Sequence, residues 1–144
     1  MSSIDVITAI LSIPGVEENG EIRNALPGEA LLEQHFDELR GKFEAMSTRP
    51  AGQPSDLDRL LSQFLEQPVN TDAAQFTYYE KKGVVYPAIV MPADRIVDAE
   101  GVSQAQKITE VFRDFEARHR LARLLGTHLG LDWVSIYTTF GPST

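Results

Sequence analysis

Gln75-Phe76-Thr77-Tyr78-Tyr79-Glu80-Lys81-Lys82-Gly83-Val84-Val85-Tyr86-Pro87-Ala88-Ile89-Val90-Met91 is the stretch on which the fold turns. Its two arms are rich in aromatic and β-branched residues, and Lys81-Lys82-Gly83 between them has turn chemistry. This reads as a β-hairpin over about 75–91 with a three-residue connection. In the second arm Val84, Tyr86, Ala88 and Val90 alternate with Val85, Ile89 and Met91, so both faces are apolar. Strands of that kind are usually covered on both sides. Pro87 has no N–H for a ladder, which predicts a sheet edge or a bulge. An apolar edge strand pairs with other chains unless something covers it. The cover is either the protein's own helices or a second molecule.

On the C-terminal side, Ser103 and Gln106 have capping-box spacing, and a long helix is expected from there to about His128. Ile108, Val111, Phe112, Phe115, Ala122, Leu125 and Leu129 define its buried side, and His119 continues the stripe inward. Gly126 or Gly130 ends it. A last strand comes at about 132–140, with Val134, Ile136 and Phe140 facing one way and Trp133 and Tyr137 the other.

On the N-terminal side the readings are helical. Ile4, Ile7 and Leu11 share one helical face, so a helix is expected over about 3–12, ended by Pro14-Gly15. Asn19-Gly20 marks an exposed tight turn, and Pro27 suits the first turn of a second helix over about 28–46. There Leu32, Phe36, Leu39, Phe43 and Met46 form one apolar stripe. Ser55 with Asp58 makes a capping box for a short helix to about Gln67, closed by Pro68. The sum is a single α+β domain over 1–144: four helices packed on a small, mainly antiparallel sheet.

The composition removes several chemistries. The chain has 144 residues and no cysteine, which excludes disulfides, thiolate metal sites and a cysteine nucleophile. The formal charge is −8. Residues 1–72 carry 5 basic and 13 acidic side chains, while residues 73–144 carry 8 of each. Duplex nucleic acid is held through Lys and Arg on phosphates, so no nucleic-acid partner is expected. No basic leader or long apolar run suggests export or a membrane span, so a cytoplasmic location and no membrane partner are expected. Phosphate-loop, dinucleotide, nucleophile-elbow and zinc-protease signatures are missing, and no cofactor or metal is expected.

Three functional readings remain. Excess apolar area on the hairpin and last strand points to a non-enzymatic interaction module: an adaptor, an assembly chaperone or a structural subunit of a larger bacterial or viral complex. Val84, Tyr86, Ile89, Trp133 and Tyr137 are its expected contact residues, with a protein partner or a second copy opposite. The second reading is an enzyme or small-molecule binder using Glu116 and His119, whose three-residue spacing places both on one helix face. The third is an acidic inhibitor mimicking nucleic acid, which requires Glu17, Glu18, Glu21, Glu29, Glu33 and Asp37 on one exposed surface.

Overall fold

The computed structural model describes residues 3–17 and 29–141. The turn expected at Asn19-Gly20, the start of the second helix at Pro27, and Glu18 and Glu21 lie outside that range.

The first element is a strand, β1 (Ile4–Leu11), in place of the expected helix. Its IDVITAIL sequence is dense in β-branched side chains, which favour a pleated backbone. An eight-residue apolar run satisfies helical and strand spacing alike, and residue type decides it. The consequence is large, because β1 occupies the sheet interior. With β3 (Gln75–Lys81), β4 (Val84–Pro92) and β6 (Val134–Phe140) it forms a sheet of order β3-β4-β1-β6. All three pairings are antiparallel, as expected.

Because β1 pairs with β4, the strand bearing Pro87 is interior, against the expectation of an edge. Pro87 faces Tyr78 across the hairpin and lies one residue past the last β1–β4 pair, Ile10 with Ala88. Its missing donor therefore sits at the margin of that ladder. The hairpin loop is also shorter than expected: Lys81 pairs with Val84, leaving Lys82-Gly83 as a two-residue turn. Both have positive φ, 52° and 78°, the primed geometry that matches strand twist.

Helix α1 (Glu29–Ser47) buries Leu39, Phe43 and Met46 of its apolar stripe. Helix α2 (Asp56–Leu65) starts with the expected capping box, Ser55 Oγ accepting from Asp58 N–H at 3.0 Å and Asp58 Oδ2 accepting from Ser55 N–H at 3.0 Å. It ends on Glu66 in the left-handed region, φ 57°. A short pair, β2 (Asn70–Thr71) with β5 (Ile96–Val97), has two residues a side, too few for an alternating pattern to show in the sequence.

The long C-terminal helix is two helices, α3 (Ala105–Val111) and α4 (Ala117–Leu129). Asp114 Oδ1 accepts the Glu116 N–H at 3.0 Å, and N–H to carbonyl bonds of three-residue span replace helical ones around it. A short polar side chain bonding to nearby backbone competes with the helix in this way. The break rephases α4 relative to α3. Phe115 is 83% exposed, His119 is exposed, and the buried face of α4 is Ala117, Leu121, Leu125 and Leu129. Ser103 makes no capping box; its Oγ accepts the Ala105 N–H at 3.3 Å. Gly130, φ 69°, closes α4.

The helices pack on the face made by Ile7, Ala9, Leu11, Ile89, Met91, Val134 and Ile136. A smaller core on the opposite face gathers Ile10, Ile13, Val16 and Tyr86.

Candidate functional site

The apolar stripe of α1 outruns the core. Leu39, Phe43 and Met46 are buried, whereas Phe36 and Leu32, one and two turns before Leu39, are half-buried. At that end α1 stands beside the tip of the hairpin. Phe36 stacks on Tyr78 with centroids 5.4 Å apart. Between them lies a solvent-open groove of about 720 Å³, walled by Ile13, Leu32, Phe36, Tyr78, Val84 and Val85. Tyr78 is 52% exposed and Val85 47% exposed. Glu33 and Asp37 are the charged residues in its lining.

The Tyr78 ring is held in place. Arg40 Nη2 donates to Tyr78 Oη at 2.6 Å, Arg40 Nη1 donates to Asp37 at 2.9 Å, and the guanidinium lies over the Phe76 ring at 5.4 Å. A planar cation with a fixed donor fork suits this bridging between helix and strand. The groove thus has one wall from a helix and one from a hairpin, joined by a polar strut.

The five expected contact residues are scattered. Val84 alone lines this groove. Ile89 is buried under the helices, and Tyr86 is buried on the opposite face, so neither offers a surface. Trp133 is half-buried, edge-on to Tyr86 at 5.7 Å, and its Nε1–H donates to Val16 O at 3.2 Å. Tyr137 is 37% exposed, stacks on Tyr79 at 6.1 Å and accepts from Lys81 Nζ at 2.8 Å. That hydrogen bond raises the Lys81 pKa. Desolvation raises the Tyr86 pKa, and its buried hydroxyl has no partner among the described residues. The apolar excess read from the sequence is therefore smaller than expected, because β1 and the segment after it cover much of it.

The histidines do not assemble a catalytic pair. His119 borders a shallow pocket of about 300 Å³ beside Asp132 and Trp133, its ring 6.3 Å from Phe115. No carboxylate is hydrogen-bonded to it among the described residues, and Glu116 does not line that pocket. His35 Nε2 donates to Ser12 O at 2.9 Å, a strut from α1 to the end of β1. His128 lies exposed in the last turn of α4, where it suits the helix dipole. It borders a cleft of about 1250 Å³ between α2 and α4 in which Arg59, Arg120 and Arg123 alternate with Asp56, Glu66 and Asp114. No group of three or more His, Asp or Glu side chains could hold a metal ion among the described residues.

Sequence reasoning misses the groove, although its parts are visible. Leu32 and Phe36 read as members of a buried stripe, and Tyr78 and Val85 as members of a hairpin. The missing signal is the hairpin's position against α1, which depends on β1 being a strand. For the acidic surface, Glu33 and Asp37 are exposed on α1, while Glu18, Glu21 and the Glu29 side chain lie outside the described part.

No family model, no curated protein and no solved structure matches this chain. No helix of the described residues is long and apolar enough to cross a membrane.

Proposed function

We propose that the protein is a non-enzymatic interaction module, an adaptor, assembly chaperone or structural subunit, and that it docks a protein partner at the α1–hairpin groove. The observation that carries this reading is the half-exposed pair Tyr78 and Val85 in one groove with the apolar side chains of Leu32, Phe36 and Val84. Apolar and aromatic groups concentrated at one surface position, with a charged rim, are the usual anatomy of a binding patch. Two of the three polar side chains in the groove's lining are already engaged, which weighs against chemistry on a small substrate. The Tyr78 hydroxyl is engaged by Arg40, and Asp37 by the same guanidinium.

Sedimentation velocity tests the reading on the endogenous protein in gently prepared extract. The expected result is a species well above the 16.0 kDa of the chain, which returns to the monomer mass in a Val85→Asp variant of unchanged circular dichroism. A wild-type protein that sediments as a monomer in extract and at micromolar concentration would count against any docking role.

A further inference from the structure

We infer that the groove's occupant is a short segment of a partner protein carrying Lys or Arg beside its apolar anchors. The inference rests on the docking reading above and adds the chemistry of the partner. Glu33 and Asp37 stand on the α1 wall. Glu80 pairs across the hairpin with Val85, so its carboxylate starts from the same sheet face as Val85 and Tyr78. Asp37 is neutralised by Arg40 at 2.9 Å. Glu33 and Glu80 form no ion pair among the described residues, and both are exposed. Lys82, exposed in the hairpin turn, is a nearby cation with no carboxylate partner among the described residues. The lining's charged side chains are thus both acidic, with Glu33 unpaired among the described residues, while Glu80 and Lys82 stand outside the lining on the hairpin.

Complementary charge at a rim steers encounter and rejects wrong partners. A volume of about 720 Å³ takes a few side chains of a segment, which suits helix-in-groove or extended-peptide recognition.

The test uses the full chain, ¹⁵N-labelled, titrated with three synthetic amphipathic peptides of one length: Leu/Lys, Leu/Ser and Leu/Glu. The Leu/Lys peptide should shift the amides of Phe36, Tyr78, Val84 and Val85. Its affinity should fall at least about tenfold between roughly 50 and 300 mM salt, because exposed charges are screened over that range. A Glu33→Lys/Glu80→Lys variant with an otherwise unchanged spectrum should lose a similar factor. Equal binding of Leu/Ser and Leu/Lys, or groove binding of Leu/Glu, overturns the charge assignment and leaves the docking reading standing. Failure of all three peptides to shift the groove overturns both.

Discussion

Asp58 is fully buried and ionised, and its surroundings explain how. Burial pushes its pKa up, but the Arg49 hydrogen bonds, the Thr71 and Ser55 N–H groups and the Arg49 charge together bring it below the usual 3.8. Arg49 grips both carboxylate oxygens, at 2.8 and 3.3 Å, and donates to Thr71 O at 2.8 Å. The loop after α1, the start of α2 and strand β2 are tied through one carboxylate. Removing either partner strands the other's bonds, so Asp58→Ala should cost about 2–4 kcal/mol in denaturant titration. The sign with pH comes from the lowered pKa. The clip's contribution is complete above about pH 5 and is lost as pH falls through the unfolded-state and then the folded-state value, since the unfolded chain binds the proton first. Asp58→Asn should flatten that part of the acid limb in melting curves. Tyr86 is the opposite case, because its hydroxyl is buried without a partner among the described residues. Tyr86→Phe should therefore stabilise by about 1 kcal/mol.

The break between α3 and α4 sets the energetic cost of changing Phe115. With a continuous helix and Phe115 inside, Phe115→Ser would cost about 3 kcal/mol or more. With Phe115 at 83% exposure the change should fall within about 0.5 kcal/mol. The cap of α2 gives a second check. Glu66 occupies the left-handed region that glycine enters without strain, so Glu66→Gly should stabilise by about 0.5–1 kcal/mol in thermal melts. Legibility varies with how local the deciding physics is. The capping box of α2, the stripe of α1 and the hairpin are readable because neighbours in sequence determine them. Strand β1 is not, since Ile4, Ile7 and Leu11 satisfy a helical face while the β-branched run favours a strand. The α3–α4 break is hidden because it depends on the Asp114 side chain outcompeting helical bonds.

At the scale of the molecule, the central position of β1 changes the functional argument. The expected contact residues Val84, Tyr86, Ile89, Trp133 and Tyr137 do not form one patch, because β4 is interior and Ile89 and Tyr86 are buried on opposite faces of the sheet. Of the exposed apolar side chains, Tyr78 and Val85 line a groove where α1 meets the hairpin tip, and α1 belongs to the half of the chain that carries the whole net charge of −8. The acidic imbalance and the apolar groove thus meet in one place, at Glu33, Asp37, Tyr78 and Val85. Placing a photo-crosslinking amino acid at Val85 and, as a control, at the exposed Glu110 of α3 tests the docking claim directly in the native source. A discrete protein adduct at position 85, absent at 110 and abolished by Glu33→Lys, is the expected result. Equal adduct patterns at both positions, or none at 85, would contradict it.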